Sequence, residues 1–365
     1  MTQPPKFGRF FLPGPTEVHP EVLEAQAQPM IGHRGQAIED LLGRIQEGLE
    51  PVFQTSRPVI VSTSSATGLM EAAVRNAVPP GGKTLSLVNG AFSERFSEIV
   101  DTNGRVADVW EVPWGRVHSP DELTDRLGGD SYEAVTLSQS ETSTGALQDL
   151  EAIASVVSDH PTALLLVDSV TGIGGVKTMT DEWGIDFILT GSQKALALPP
   201  GLAFAVASDA MLDRARTIPD RGWYFDLDQL HAQIQERQTP ATPAVSLLYA
   251  LDYQLSRMAD EGIEGRWARH RAMQVRTFQW VEEMGGNGVD LGVLATEGHR
   301  SPTVTCVTVP GGGSPAVVKE MGSRGWVIGD GYGRLKDSTF RIGHMGDHTV
   351  DELNVLLDEL SEVLG

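Results

Sequence analysis

The sequence holds one cysteine, Cys306, among its 365 residues. An internal disulfide is therefore excluded, and a reducing compartment, the cytoplasm, is the expected location. Basic charge is also short. Lysine and arginine total 28 against 49 acidic residues, and the net charge of -21 disfavours nucleic acid and anionic membranes as partners. No apolar run is long enough to span a bilayer, and Met1-Thr-Gln-Pro-Pro-Lys6 lacks the basic-then-apolar pattern of a secretory leader. A Walker motif and a Cys/His cluster are both missing, so no metal is expected. Thr171-Gly-Ile-Gly-Gly175 lacks the third glycine of a dinucleotide fingerprint and is set aside. Lysine itself is scarce, with Lys6, Lys83, Lys177, Lys194, Lys319 and Lys336 the full set.

What is present alternates. Short apolar runs at 59–61, 84–88, 106–110, 133–137, 163–167, 185–189 and 202–207 read as strands. Between them come helical patterns at 37–53, 69–78, from 89–95 onward, 120–127 and 150–157, with a helix-like piece at 181–183. That order predicts an α/β fold, a mostly parallel sheet with helices on both faces. A long helix follows at 245–258, and Gly262 and Gly265 mark the expected seam. Helices at 267–284, 316–321 and 350–364 and strands at 303–309 and 339–343 then predict a smaller α+β unit. The expected boundaries are an N-terminal segment (1–19), a large domain (20–260) and a small C-terminal domain (261–365).

One lysine keeps unusual company. The strand 185–189 runs through Thr190-Gly-Ser-Gln-Lys194, and the chain leaves by Pro199-Pro-Gly201 into the next apolar run. An ammonium buried without a partner is costly, and the same desolvation lowers its pKa and makes the amine a nucleophile towards carbonyls. A surface loop lysine is the competing reading. Upstream, the strand 163–167 ends in Asp168, and in an open parallel sheet a carboxylate at a strand's carboxyl end faces the ligand crevice. A lysine and a carboxylate at two such ends suit pyridoxal phosphate. The lysine forms the Schiff base, and the carboxylate keeps the pyridine nitrogen protonated so that the ring withdraws electrons.

Ser192-Gln-Lys-Ala-Leu196 with Pro199-Pro-Gly201, Asp168 at its strand end, and Phe340-Arg-Ile-Gly343 resemble the class V aminotransferases, most of all the alanine–glyoxylate / serine–pyruvate branch. The similarity runs from Leu12-Pro-Gly-Pro15 to Arg341. It implies fold type I, pyridoxal 5'-phosphate as cofactor, and Lys194 and Asp168 as catalytic residues, with Gln193 beside the lysine among the cofactor contacts. Ser65, Ala66 and Thr67 match the cofactor-phosphate turn, a helix start whose backbone N–H groups face an anion. Without that match they read as a plain helix cap. Phe92 aligns with the aromatic that stacks on the cofactor ring, where an ordinary core phenylalanine competes. Ser138-Gln-Ser-Glu-Thr-Ser-Thr-Gly145 resembles the Gly-Glu-Ser-Ser-Thr-Gly loop of the family. Thr142 stands where a serine contacts the cofactor's 3-oxygen, and Gln139-Ser140 replaces the common His-Gly.

Thr239 and Thr242 fall in a loop that, in the family, crosses to the neighbouring subunit and touches its cofactor phosphate. A homodimer with composite sites is thereby implied. Arg341 is expected to hold the substrate carboxylate through paired hydrogen bonds. Gly14, in the N-terminal segment, lines the substrate pocket of the family. His33 and Arg34, in a glycine-flanked loop, could receive an anion or be solvated turn residues. His344 could contact substrate or nothing. The implied reaction is a ping-pong transfer of an amino group from alanine or serine to glyoxylate or pyruvate. Donors with an anionic side chain (aspartate, phosphoserine, aminoethylphosphonate) remain an alternative. So does a lyase of the cysteine-desulfurase type, although Cys306 stands in an apolar strand pattern and not on a loop.

Overall fold

The computed structural model describes residues 7–365. Residues 1–6, read above for a leader and carrying the start of the N-terminal segment, lie outside the described residues.

Period-two burial decides the main sheet. In Leu164–Asp168, Leu165 and Val167 enter one hydrophobic cluster while Leu164 and Leu166 enter another. A strand apolar on both faces needs a helix layer on each side. Among the described residues this sheet has seven strands, in the order Ile60–Ser62, Ala203–Ala207, Phe187–Gly191, Leu164–Asp168, Ala134–Ser138, Lys83–Val88 and Val106–Glu111. Ala203–Ala207 is antiparallel to both neighbours, and the other pairings are parallel. Gln36–Phe53, Leu150–Ser158 and Val245–Glu261 cover one face. Ala66–Ala77, Ala91–Thr102 and Asp209–Thr217 cover the other. Gln36–Phe53 shows why: Ile38, Leu41, Leu42, Ile45 and Leu49 repeat at helical spacing and are all buried. Each contributes roughly 1.5–3 kcal/mol by leaving water.

Register gathers the strand ends. Ser62 pairs with Ala203 and Ala203 with Gly191, while Asp168 pairs with both Leu189 and Ser138. The carboxyl ends of Ile60–Ser62, Phe187–Gly191, Leu164–Asp168 and Ala134–Ser138 therefore line one edge of the sheet. Lys83–Val88, parallel to Ala134–Ser138, ends there too. That edge is where ligands bind in sheets of this kind.

A second, five-stranded sheet runs Phe10–Phe11, Val327–Asp330, Thr339–Ile342, Thr305–Thr308, Gly292–Val293 among the described residues. Ile263–Gly286, Ser314–Ser323 and Val350–Leu364 pack on it around Met273, Trp280, Met321, Leu353 and Leu357. Phe10–Phe11 is its parallel edge strand, after which the N-terminal segment passes the lysine loop, Thr16 N donating to Gln193 O at 2.9 Å. No described helix is long and apolar enough to cross a membrane.

Some elements differ from expectation. The piece at 181–183 is a turn, because the Asp181 carboxylate accepts hydrogen bonds from Thr55 Oγ1 and Ser56 N instead of serving a helix. The strand expected at 185–189 is Phe187–Gly191, since Asp186 is engaged by Leu165 N and Ser208 Oγ. Asp209–Thr217, Leu227–Gln235 and Val327–Asp330 are additional elements.

Candidate active site

Lys194 lies in a bend tied back on itself. Ser192 Oγ donates to Pro199 O at 2.7 Å, Leu198 N donates to Ser192 O at 3.0 Å, and Ala197 takes a φ of 54°. The lysine is 8% exposed, and its Nζ donates to Pro13 O at 2.5 Å. Burial, reinforced by the Arg341 and Arg95 guanidinium groups, pushes the amine from its ordinary 10.5 down to about 8, while Asp168 pulls the other way. A neutral amine, the form that attacks a carbonyl, is thus within reach of neutral pH. Gly14, with a φ of 115°, lies so close that a Cβ there would collide with Lys194 Nζ and Cε. Only glycine suits that backbone and that contact.

Asp168 is 4% exposed at its strand end. Its Oδ1 accepts from Val170 N at 2.9 Å and its Oδ2 from Ser138 Oγ at 3.0 Å. Burial raises the carboxyl from 3.8 to about 6 despite those donors. Asp168 pairs with Leu189, five residues before Lys194, so both side chains belong to the same sheet edge.

Two helices begin at this sheet edge, and they are finished differently. At Ala91–Thr102 the wholly buried Glu141 accepts from Phe92 N at 3.1 Å and Ser93 N at 3.0 Å. Its other oxygen accepts from Ser143 N at 3.1 Å and Ser143 Oγ at 2.6 Å. That helix end is filled by a carboxylate of the chain itself. At Ala66–Ala77, Ser65 stands at the cap position in an extended conformation and makes no side-chain cap bond. Ser65 is exposed and Thr67 partly so, which leaves the N–H groups of 65–67 facing an open edge with the positive end of a helix dipole behind them. Removing the Glu141 oxygens would strand several buried donors, so Glu141→Ala is expected to lower stability by about 3 kcal/mol or more in denaturant unfolding.

The small unit supplies Arg341 from Thr339–Ile342. Its Nε donates to Asp330 O at 2.8 Å and its Nη1 to Thr142 O at 3.2 Å. Nη2 has no acceptor among the described residues. Burial pushes this guanidinium below its ordinary value. Thr142, buried, shares a 3.1 Å hydrogen bond with Thr171 Oγ1. Phe92 is half-buried, with the Arg95 guanidinium 4.8 Å from its ring and the Tyr332 ring 5.3 Å away. Gln193 is half-buried beside the lysine.

Other candidates are placed elsewhere. Arg34 is exposed and donates to Gln238 Oε1 at 3.3 Å, and neither it nor His33 has a hydrogen bond or ion pair to Lys194, Asp168 or Arg341 among the described residues. Thr239 is buried with Oγ1 on Ala241 O, Thr242 is exposed, and both line a shallow cavity with Ser62, Thr63, Trp223 and Tyr224. His344 is fully buried on Thr305 Oγ1, and burial pushes it down to about 4, so it stays neutral. Gln139 turns inward to Ser169 and Thr178, holding the strand ends together. Cys306 is buried opposite Arg341 in the small sheet, where burial pushes its thiol up to about 11. Such a thiol is no nucleophile, and a desulfurase reading gains nothing from it.

The sequence reading missed four residues of this site. Ser138 and Glu141 stood in a quoted loop without roles, while Arg95 and Tyr332 carried no motif. Glu141 alone had a visible signal, an acid inside a run of small hydroxyl residues that mostly turn out buried.

A doubly wound sheet with a lysine and a carboxylate at neighbouring strand ends, and an unfilled helix N-terminus on the same edge, defines a pyridoxal-phosphate enzyme of fold type I. Comparison with known proteins gives the family: residues 14–332 match the aminotransferase class-V family, and the chain belongs to it. It is 38% identical over 340 residues to an uncharacterized aminotransferase of Methanocaldococcus jannaschii, covering 92% of this chain and 87% of that one. It is 33% identical over 356 residues to a serine–glyoxylate aminotransferase of Arabidopsis thaliana, covering 95% and 87%. The solved structure of an alanine–glyoxylate aminotransferase from Nostoc sp. superimposes with a TM-score of 0.93 at 32% identity, covering 100% of this chain and 97% of that one. The protein is a pyridoxal-phosphate-dependent aminotransferase.

The crevice fits that cofactor. The buried Asp168 carboxylate is held by only two donors, Lys194 Nζ has one carbonyl partner, and the helix end at 65–67 lacks a cap.

Proposed function

We propose that the enzyme transfers the amino group of alanine or serine to glyoxylate, with pyruvate as a second acceptor, in two half-reactions through one site. The observation that carries this is Arg341, whose Nη2 has no partner among the described residues while Nε and Nη1 rest on backbone carbonyls. One carboxylate is what such a group takes. Arg34 donates to Gln238 and has no hydrogen bond or ion pair to this site among the described residues. Arg95 is turned to the Tyr332 hydroxyl and the Phe92 ring, its Nε and Nη1 being the donors left for a second acidic group. The serine–glyoxylate and alanine–glyoxylate aminotransferases compared above both carry glyoxylate in their names.

Pyridoxal phosphate, when bound, supplies an electron sink for the electron pair left on the donor's Cα. Lys194 would hold its aldehyde carbon, then, once displaced by the donor amine, carry the Cα proton on Nζ. Asp168 would hold the ring nitrogen protonated, Phe92 would lie along the ring, and Thr142 would contact the 3-oxygen. The N–H groups of 65–67 would receive the phosphate, with Gln193 closing the near side. Arg341 would fix the substrate carboxylate, and Gly14 leaves the room in which the lysine moves. Thr239 and Thr242, on a stiff proline-flanked loop at the surface, suit a homodimer in which that loop completes the neighbour's phosphate site. A single buried cysteine suits a reducing cytoplasm.

The test is a panel of alanine, serine and aspartate against glyoxylate, pyruvate and 2-oxoglutarate, each read as a half-reaction. Alanine or serine with glyoxylate is expected to exceed aspartate by about tenfold or more in kcat/KM. Aspartate as the best donor would overturn the substrate reading.

A further inference from the structure

We propose that Tyr332 is a positioning residue that fixes the plane of Arg341 for the substrate carboxylate. The inference rests on the reading of Arg341 given above and goes beyond it.

Tyr332 stands in the turn that joins Val327–Asp330 to Thr339–Ile342. The turn is rigid on packing grounds. Gly331 is buried so tightly that a Cβ would strike Leu335 O and Thr339, and Leu335 O also accepts from Thr339 Oγ1 at 2.9 Å. From this fixed base the ring reaches three site residues. Its centroid is 5.3 Å from that of Phe92 at an interplanar angle of 41°, and the Arg341 guanidinium carbon lies 5.4 Å from it. Its hydroxyl accepts from Arg95 Nη2 at 3.3 Å.

The same turn grips the large unit a second time. Arg334 stacks 4.0 Å from the Trp114 ring and donates to Glu111 Oε1 at 2.8 Å. Tyr332 is thus held from both units, while Arg341 is held at its inner atoms by carbonyls of Asp330 and Thr142. Two in-plane hydrogen bonds leave a guanidinium free to tilt about the line joining its acceptors. An aromatic ring beside it restricts that tilt, because a cation is attracted to the ring face. Orientation matters here, since a displacement of about 1 Å in a reacting group can cost 10²-fold. Arg95, which lies 4.8 Å from the Phe92 ring and donates to the hydroxyl, holds the Tyr332 ring from the other side.

The experiment compares Tyr332→Ala, Tyr332→Phe and Arg341→Lys in the cofactor-loaded enzyme, reading donor KM, kcat, cofactor affinity by fluorescence titration, and thermal melting. Tyr332→Ala is expected to raise donor KM by about tenfold or more with kcat changed much less, and to leave cofactor affinity and melting near wild type. Tyr332→Phe keeps the ring and is expected to return KM to within about threefold of wild type. An unchanged KM in Tyr332→Ala would overturn the proposal. So would a parallel loss of KM, cofactor affinity and melting, the mark of a purely structural residue, or a Tyr332→Phe variant as impaired as the alanine. Arg341→Lys is expected to raise KM more than Tyr332→Ala does. Wild-type KM in Arg341→Lys would sink the assignment of Arg341 itself, and the inference on Tyr332 with it.

Discussion

Lys194→Ala loses transamination by on the order of 10⁴-fold or more in kcat. In the proposed mechanism the amine would have two duties, covalent anchorage and proton carriage, and no other side chain of the crevice could assume both. Arg95 and Arg341 carry no primary amine, and Asp168 is committed to Ser138 and Val170. The same position also weakens the fold, which a second substitution exposes. Lys194→Met keeps the methylene packing and removes the charge. The amine has an ordinary value of 10.5 and about 8 in the folded chain, so between those values the unfolded chain binds more protons and stability rises with pH. Below pH 8 the full cost is present, about 3 kcal/mol. In the cofactor-free chain Lys194→Met is therefore expected to raise unfolding free energy by about that amount at pH 7, the gain fading from pH 8 to 10.5. Urea unfolding across that pH range reads it directly.

Asp168→Asn is the second large effect, expected to lower kcat by on the order of 10³-fold. Asparagine keeps the size, its oxygen can still accept from Val170 N, and the Ser138 hydroxyl can turn to accept from the amide. Only the charge is lost, and with it what would, in the proposed site, keep the ring nitrogen protonated. The linkage has the opposite form to that of the lysine. Burial raises this carboxyl from 3.8 to about 6, so between those values the folded chain binds more protons and stability falls as pH rises. Asp168→Asn removes that fall. Around neutral pH both buried charges thus oppose folding, the usual relation between an active site and its scaffold.

The main sheet was legible because its strands are short apolar runs buried on both faces, such as Leu164–Asp168 and Ala203–Ala207. Asp209–Thr217 was not, since only Met211, Leu212 and Ala215 are buried in a mostly polar stretch. Val327–Asp330 was hidden by its length and by Gly329 within it. Lys194, Asp168 and Arg341 could be singled out because each follows, ends or occupies an apolar strand. Ser138 could not, because its role depends on pairing with Asp168 across 30 residues of sequence. Glu141 reaches a helix 48 residues upstream, and Tyr332 meets Arg95 across 237, contacts that no local pattern encodes. His33 and Arg34 read either as an anion site or as solvated turn residues, and the fold places Arg34 on the surface with Gln238. Glycine flanks describe a turn and carry no information on where it points.

Borohydride reduction of the cofactor-loaded enzyme, followed by digestion and mass spectrometry, tests the assignment of the crevice most directly. The cofactor-derived mass is predicted on the peptide carrying Lys194, at that residue. A label on Lys6, Lys83, Lys177, Lys319 or Lys336 instead, or on no lysine at all, would contradict it.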